Sequence, residues 1–353
     1  MSKPSLIRRF FSALWNGITR TRLALSNILF LVMLALIYFV YLGGTPEPLP
    51  ERAALLLSPA GSIVDQKSFV EPLQALLGEP APEDREVLLR DVIEAIKTAK
   101  DDPNINSLVM DLDHLSAVGI SKTQEIARAV AFFKESGKPV VAVGDYYGQG
   151  QYLLASLADT VVVHPLGGVA LEGFSSYQNY FREALEKLSI SMHVFKAGDH
   201  KSIAEPILRD DMSPEEKAIS LRWLQSLWAQ YTQMVEEQRE LAVGSIDDYI
   251  NTYAVKLQAQ GGDTASTALE AGLVDKILGR EEANDFLVEL VGAKNEDGRY
   301  EAVHFQHYLS RKRPLISVSD EGERVAVITA QGNMLNGEQP PGSIGGDSLA
   351  RLI

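Results

Sequence analysis

The sequence contains no cysteine among its 353 residues. A disulfide framework, a thiolate metal site and a thiol nucleophile are therefore excluded for this chain. Its six histidines are scattered, without the spacing of a Ser-His-Asp triad. His304 and His307 lie three residues apart but have no further ligands at metal-site spacing. The sequence thus indicates neither a metal nor a cofactor.

Positive charge is scarce outside the N-terminus. The chain has 33 Lys and Arg against 47 Asp and Glu, for a net charge of −14. Residues 1–46 nevertheless contain basic residues and no acidic ones. Residues 47–353 therefore carry more negative charge than the −14 of the whole chain, and they would repel a phosphate backbone. We expect no nucleic-acid partner.

A long uncharged run follows the basic N-terminus. Residues 23–42 contain no charged side chain, and twenty helical residues span about 30 Å, the hydrocarbon thickness of a bilayer. Arg20 and Arg22 precede the run, and Glu47 and Glu51 follow it. By the positive-inside rule the N-terminus is cytoplasmic and the body lies across the membrane. The alternative is a cleaved signal peptide, which fits less well because the run is long and lacks an Ala-x-Ala site.

Two short segments flank this run. Residues 1–22 read as a basic amphipathic helix suited to an anionic leaflet, with apolar side chains recurring at steps of three and four. The alternative is a charged leader with accidental periodicity. Residues 43–51 are rich in proline and predict a stiff linker between the membrane and the first folded residues.

The body alternates between strand and helix patterns. Such alternation predicts an α/β fold with a mainly parallel sheet. The expected strands are Arg52–Leu57, Asn106–Leu112, Pro139–Val143 and Thr160–Val163. The expected helices begin at Asp84, cover Thr123–Glu135 and Gln151–Leu157, and continue from Pro214 to about Arg239 after a Ser213 cap.

An internal repeat divides the body. The order arginine, apolar strand, glycine turn and apolar pair occurs at residues 52–65 and returns at residues 324–336. Self-similarity at this scale indicates tandem units. We therefore expect a first half at 52–323, with a long helical insertion, and the start of a second half at 324–353. Residues 324–353 are too few for another such unit, so we expect a protein nearly twice as long.

Several motifs together resemble one known family. They are residues 137–144, 147–156 and 193–195, then Lys201-Ser202, Glu205-Pro206 and Arg209–Pro214. In this order they are similar to the N-terminal half of signal peptide peptidase A, also called protease IV. The resemblance implies a ClpP/crotonase-like fold and a homotetramer in the bacterial inner membrane with its catalytic body in the periplasm. It also implies that the substrates are signal peptides and other unfolded peptides.

The resemblance also implies a catalytic lysine. Lys201 would be the general base of a Ser/Lys dyad, in a loop between the end of a strand at Val194-Phe195 and a long helix. A general base requires the lysine pKa to fall from about 10.4 to roughly 7–8. Burial would have to supply that shift, because Asp199 and Glu205 would oppose it if they lay close. Without the resemblance, Lys201 reads as an ordinary solvated loop lysine.

The partner serine is expected beyond Ile353, in the second half. At the equivalent turn of this half, Val118 occupies the serine position and Ser116 is a weak substitute. Gly345 and Gly346 resemble the family's glycine segment that offers a backbone N–H to the oxyanion. A plain glycine-rich turn is an equal alternative for them.

Three functions are compatible with these patterns. The first is a membrane-anchored serine endopeptidase that degrades cleaved signal peptides, with this segment lacking the nucleophile. The second is a membrane-tethered scaffold or binding protein without catalysis. A crotonase-type CoA enzyme is the third, and only the superfold suggests it. Gly148–Gln151 begins like a dinucleotide fingerprint but lacks its third glycine, so it indicates no phosphate site.

Overall fold

The computed structural model describes residues 6–41, 49–68, 81–195, 202–313 and 325–353, with side chains described for 14–38 of the first range. These residues form two compact units, Met1–Leu49 and Pro50–Ile353, and each is described by itself.

The N-terminal unit is one long helix, α1, from Leu6 to Tyr41. Its 36 residues are about 54 Å long at 1.5 Å each. The stretch Leu14–Tyr38 has a mean hydropathy of 1.9 and is long and apolar enough to cross a membrane. The leader predicted for residues 1–22 and the membrane helix predicted for 23–42 are therefore continuous over the described residues. No break separates them at Arg20 and Arg22.

A parallel sheet organises the second unit. Six of its strands are hydrogen-bonded in the order β8-β7-β6-β4-β1-β9, and every pairing is parallel. Two smaller parallel sheets have the orders β3-β2-β5 and β10-β11. The described strands are β1 Ala53–Leu57, β2 Gly61–Val64, β3 Glu86–Leu88, β4 Ile105–Asp111, β5 Leu115–Ala117, β6 Val140–Gly144, β7 Thr160–Val163, β8 Lys276–Ile277, β9 Ala302–His304, β10 Met334–Leu335 and β11 Ile344–Gly345. The α/β class predicted from the sequence is confirmed.

Helices connect these parallel strands. The described helices of this unit are α2 Leu89–Lys100, α3 Ile120–Lys134, α4 Gln149–Ala155, α5 Arg182–Lys187, α6 Glu205–Leu208, α7 Pro214–Gln238, α8 Ser245–Ala259, α9 Thr264–Glu270, α10 Arg280–Val291, α11 Phe305–Lys312 and α12 Gly346–Leu352. Single 3-10 turns lie at Pro82–Asp84 and Ser202–Ala204. The long helix expected from Pro214 ends at Gln238, and Ser213 caps it by accepting a hydrogen bond from the Glu216 N–H.

The core lies on both faces of the six-stranded sheet. Strands β1, β4, β6 and β7 are nearly all apolar, which is typical of parallel strands covered on both sides. On one face, α10 packs its Leu287 and Val291 against buried residues of these four strands. Those strand residues are Ala54, Val109, Val141 and Val162. Because these four strands are parallel, their carboxyl ends lie at the same edge of the sheet.

One helix begins later than the sequence pattern indicates. The helix expected from Asp84 starts at Leu89, because Glu86–Leu88 instead form β3 beside β2. Val87 is buried in this pairing. Sheet pairing therefore overrides local helix propensity over these residues.

The two segments of the predicted internal repeat contain one similar arrangement. Strand β2 pairs in parallel with β3, which leads directly into α2. Strand β10 likewise pairs with β11, which leads directly into α12. However, the counterpart of β1 is not a strand: Val325 and Val327 are 92% and 86% exposed. The described part of the chain places no strand beside them, whereas β1 lies between β4 and β9.

A buried carboxylate joins two helices beneath the sheet. Asp102, just after α2, has a side chain only 3% exposed. It accepts hydrogen bonds from the Asn104 N–H (3.0 Å) and the Tyr308 hydroxyl (2.8 Å), and its Oδ2 lies 2.7 Å from Nζ of Lys312. Burial opposes ionisation, but the hydrogen bonds from Lys312, Asn104 and Tyr308 outweigh it and lower the pKa of Asp102.

Replacing this carboxylate is expected to destabilise the fold in a pH-dependent way. Because its pKa is lowered on folding, Asp102 contributes stability above its unfolded pKa of about 3.9, and that stability is lost as pH falls through the folded pKa. Asp102→Asn should lower the unfolding free energy at pH 7 by about 1.5–3 kcal/mol, a loss that shrinks below about pH 4. Denaturant unfolding at both pH values measures it. Asp101→Asn, at an exposed neighbour, is the control, and equal losses in the two variants would contradict this assignment.

Candidate active site

The predicted general base, Lys201, lies outside the described residues, as do residues 196–200. On the N-terminal side of Lys201, residues 190–195 have no regular secondary structure. The strand end predicted at Val194-Phe195 is therefore wrong, and Phe195 is 98% exposed. The chain resumes at Ser202 in a single 3-10 turn. An aromatic residue so exposed has no sheet to pack on, which explains why strand propensity alone misleads here.

The segment after Lys201 is attached to a neighbouring helix. The Phe181 N–H donates to the Pro206 carbonyl (2.7 Å), and Arg182 forms an ion pair with Asp210. The Glu183 N–H also donates to Asp210 Oδ1 (2.9 Å). Hydrogen bonding to Arg182 lowers the pKa of Asp210, so this carboxylate stays charged near neutral pH. Residues 205–210 are thereby fixed to the start of α5.

The same segment is also bound to α7. Glu205 accepts hydrogen bonds from both the N–H (3.1 Å) and the hydroxyl (2.5 Å) of Ser213. Ser213 caps α7 through its hydroxyl, which accepts from the Glu216 N–H at 3.1 Å. The sequence pattern identified the Ser213 cap but not its link to Glu205. The signal for this link in the sequence was the carboxylate of Glu205, eight residues before the capping serine.

A glutamine anchors the chain where it leaves the sheet towards Lys201. The Gln149 Oε1 accepts from the N–H groups of Glu172 (3.1 Å) and Gly173 (2.8 Å), and its Nε2 donates to the Gly173 carbonyl (3.1 Å). The Gln149 carbonyl accepts from the hydroxyl of Tyr231 on α7 (3.0 Å). Sequence analysis missed this role, because an amide binding a distant backbone has no local pattern.

Aromatic side chains close the space between this anchor and α7. The rings of Trp228 and Tyr231 stack with centroids 5.2 Å apart, and Phe174 meets both rings edge-on. The Trp228 Nε1 donates to Asp247 at 2.7 Å. Such pairs contribute about 0.5–1.5 kcal/mol beyond their buried area. Trp228 and Tyr231 of α7 therefore serve packing, and they pack against Phe174 at the point where the chain leaves the sheet.

The turn that corresponds to the serine position carries no nucleophile arrangement among the residues around it that the structure describes. Val118 precedes the helix α3, whose cap is Gly119. The Ser116 hydroxyl donates to the Glu83 carbonyl (3.2 Å), which ties it to the 3-10 turn. Gln151 holds the turn from the other side through the Leu112 carbonyl (2.9 Å). The Ser116 hydroxyl is thus engaged with the backbone of the 3-10 turn at Pro82–Asp84.

Charged side chains gather at the carboxyl ends of β4 and β6. Asp113 accepts a hydrogen bond from the Asp145 N–H (2.9 Å), and Asp145 forms an ion pair with Arg280. Burial raises the pKa of Asp113, and the charges of Asp111 and Asp145 add to this, against the Asp145 N–H. Within the described ranges no group of three or more His, Asp or Glu side chains is arranged to hold a metal ion.

The glycine pair near the C-terminus lies at the junction of β11 and α12. A Cβ on Gly345 would lie 2.6 Å from the Gly337 carbonyl oxygen and 2.7 Å from the Gln339 nitrogen, so only glycine fits. A Cβ on Gly346 would meet nothing within 4 Å. The first N–H groups of a helix have no acceptor within that helix. Packing therefore explains Gly345, whereas the surface above Gly346 is open to another molecule.

A cavity of about 670 Å³ lies beside Gly345. Its lining residues come from the ranges 65–90 and 327–352. Its lining includes Leu88, Arg90, Ile328, Gly345 and Leu349. Gly345 thus lines the same cavity as Leu88 and Arg90, and the position of Lys201 relative to this cavity lies outside the described residues.

Comparison with known proteins identifies relatives of this chain. Residues 132–294 match the model of Peptidase family S49. The chain is 36% identical to Protease 4 of Salmonella typhi over 98% of this chain and 56% of that protein. It is 34% identical to Protease 4 of Haemophilus influenzae over 96% of this chain and 56% of that protein. The chain thus spans about half the length of these curated relatives.

Some solved structures resemble the chain at low TM-scores and low identity. A mutant of the 1510-N membrane-bound stomatin-specific protease matches with a TM-score of 0.34 and 12% identity, over 72% of this chain and 94% of that chain. At this score the likeness carries no argument about function. The sequence relatives and the S49 segment carry the assignment instead. The chain belongs to the signal peptide peptidase A (protease IV) family, peptidase family S49.

Proposed function

We propose that the full-length protein is a membrane-anchored serine endopeptidase that degrades cleaved signal peptides and other unfolded peptides through a Ser/Lys dyad. One observation carries this proposal: 36% identity to Protease 4 of Salmonella typhi over 98% of the chain. The Lys201-Ser202 and Glu205-Pro206 motifs lie inside the segment that matches Peptidase family S49.

In the proposed reaction Lys201 is the general base. Its neutral amine takes the proton of a serine hydroxyl while the oxygen attacks the scissile carbonyl, and the proton then passes to the leaving amine. The same lysine removes a proton from water in deacylation, which releases the acid product and the free serine. The serine is expected beyond Ile353, in the part of the relatives' length that this chain does not cover.

The glycine pair is proposed to stabilise the oxyanion. Backbone N–H groups aimed at the developing negative charge lower the barrier without reorganisation. The open surface above Gly346 supports this role, because a substrate carbonyl needs close backbone approach. Gly345 would contribute by permitting the tight turn that presents Gly346.

The N-terminal unit supports a membrane placement. An apolar helix and the Protease 4 relatives are consistent with a membrane anchor. We propose the bacterial inner membrane with the N-terminus cytoplasmic and the catalytic body periplasmic. Arg20 and Arg22 on one side of residues 23–42, and Glu47 and Glu51 on the other, support this orientation.

Assembly as a homotetramer is a further part of the proposal. Helix α7 carries apolar side chains that stay exposed in the single chain: Ile219, Leu221 and Trp223. Exposed apolar side chains grouped along one helix favour contact with another protein surface. These side chains are compatible with contacts between copies of the chain.

Loss of the lysine amine is expected to abolish serine activation. In the full-length protein, Lys201→Ala should slow labelling by a fluorophosphonate probe by about 10²–10⁴-fold, the usual contribution of a general base. Lys187→Ala, at an exposed lysine paired with Glu183, is the matched control and should label at the wild-type rate. Unchanged labelling of Lys201→Ala would refute the dyad. If the wild-type protein binds signal peptides but is never labelled by the probe, the result would favour the membrane-tethered scaffold or binding function instead.

Adding a methyl group at the proposed oxyanion site should impair catalysis without harming the fold. Gly346→Ala is expected to lower kcat by about 10²–10³-fold, comparable to losing one oxyanion donor, because the methyl blocks the approach of the carbonyl. Gly150→Ala in α4 is the control, since its Cβ also meets nothing within 4 Å. Peptide hydrolysis and thermal unfolding are the measurements. Equal kcat in both variants would show that the glycine pair is only a turn.

The proposed orientation can be tested because the chain has no cysteine. Single substitutions Ser2→Cys and Glu296→Cys place one thiol on each side of α1. In intact cells whose outer membrane is permeable, an impermeant maleimide should label Glu296→Cys only. Ser2→Cys should label after the inner membrane is lysed. The reverse pattern would overturn the orientation derived from the arginines.

A further inference from the structure

A serine of α12 holds the carbonyl of the first glycine in the pair Gly345 and Gly346. The Ser348 hydroxyl donates to the Gly345 carbonyl (3.2 Å) and accepts from the Gln339 N–H (3.3 Å). The serine oxygen also fills the space beside Gly345, because a Cβ on this glycine would collide with it. Ser348 therefore joins the end of β11 to the loop between β10 and β11, and it lines the same cavity as Gly345.

The hydrogen bond from Ser348 also fixes the direction of an N–H group. The Gly345 carbonyl and the Gly346 N–H belong to one planar peptide group, so a rotation that moves the carbonyl also moves the N–H. The next peptide group is held as well, because the Asp347 N–H donates to the Gly337 carbonyl (3.1 Å). Both peptide groups that flank Gly346 are thus attached to neighbouring atoms of the chain.

These attachments matter because glycine does not restrain its own backbone. Gly346 is exposed, and a Cβ there would meet nothing within 4 Å. Glycine has more accessible backbone conformations than other residues, so an open glycine keeps one conformation only where its neighbours hold it. Of the two contacts that hold the peptide groups around Gly346, the one from Ser348 comes from a side chain. That contact can be removed by substitution without changing the backbone.

We propose that Ser348 is a positioning residue that holds the glycine pair in the orientation that receives the oxyanion. The proposal rests on the proposed function, in which the pair offers a backbone N–H to the oxyanion. Such donors lower the barrier because they already point at the developing charge and need no reorganisation during the reaction. Without the Ser348 hydroxyl, the peptide group between the glycines is free to turn away. The uncharged ground-state carbonyl depends less on this donor, so peptide binding persists.

The chain offers a matched control in Ser136, just after α3. Its hydroxyl also donates to the carbonyl three residues earlier, that of Phe133 (2.6 Å), and also accepts from a backbone N–H, that of Lys138 (3.4 Å). These three residues are not among the described residues that line the cavity beside Gly345. Ser136→Ala therefore removes the same two kinds of contact as Ser348→Ala, away from the glycine pair.

The experiment compares peptide hydrolysis by variants of the full-length protein. Ser348→Ala should lower kcat by about 10–50-fold, less than the loss of a whole oxyanion donor, while KM stays within about 2-fold. Ser348→Thr should recover most of kcat, because threonine keeps the hydroxyl. Ser136→Ala should keep the wild-type kcat with a comparable fall in Tm. If Ser348→Ala does not fold, Ser348→Cys should lower kcat to a smaller extent, because a thiol is a weaker hydrogen-bond donor.

A double substitution tests whether Ser348 acts through the glycine pair. Gly346→Ala already blocks the approach of the carbonyl to the proposed donor. In that background Ser348→Ala should lower kcat by less than about 3-fold further, because two changes to one interacting unit are not additive in free energy. If the two losses multiply instead, Ser348 and the glycine pair act independently and the positioning role is wrong.

Other results would also overturn the positioning role. These are a wild-type kcat in Ser348→Ala, an equal loss in Ser136→Ala, and failure of Ser348→Thr to recover kcat. Failure of the proposed function gives a different pattern. If Gly346→Ala lowers kcat and Ser348→Ala does not, only the positioning role is wrong. If Gly346→Ala keeps the wild-type kcat, the oxyanion assignment is wrong, and the positioning role is wrong with it.

Discussion

The pairing of β1 between β4 and β9 is the constraint on which the body depends. This short strand pairs with β4 on one side and with residues 302–304 of β9 on the other, so β9 joins the sheet only through β1. Four of its five residues are buried. All neighbours are parallel, and therefore the loops after β1, β4 and β6 leave from the same edge. The charged residues Asp113 and Asp145 and the anchor Gln149 follow from that arrangement.

Much of this framework could be predicted from sequence. The buried strands are continuous apolar runs separated by helical patterns, so their existence and parallel arrangement follow from composition and order. The start of α2 could not be predicted, because the residues of β3 have a helix-compatible pattern and become a strand only where β2 lies beside them. The need for a pairing strand also explains Val325 and Val327. Their sequence is strand-like, but they form no strand because the described part of the chain places no other strand beside them.

The candidate site was less accessible to sequence analysis. Lys201 and the glycine pair emerged through resemblance to a family, because a loop lysine or a Gly-Gly step has no distinguishing periodicity. The contacts of Gln149 with Gly173 and of Glu205 with Ser213 join residues that no local pattern relates. Such long-range polar contacts depend on the final packing. They became visible only when the elements that carry them were placed.

The attachment of residues 173–195 and 202–212 has a consequence for how readily this part of the chain opens. The described residues between 173 and 212 contribute little to the core, and their hydrogen bonds to the rest of the body are concentrated at Gln149 and Ser213. A region with few buried contacts can detach at a lower free energy than global unfolding requires. The described residues of this segment are therefore expected to exchange their amide hydrogens with solvent sooner than the paired strands of the parallel sheet.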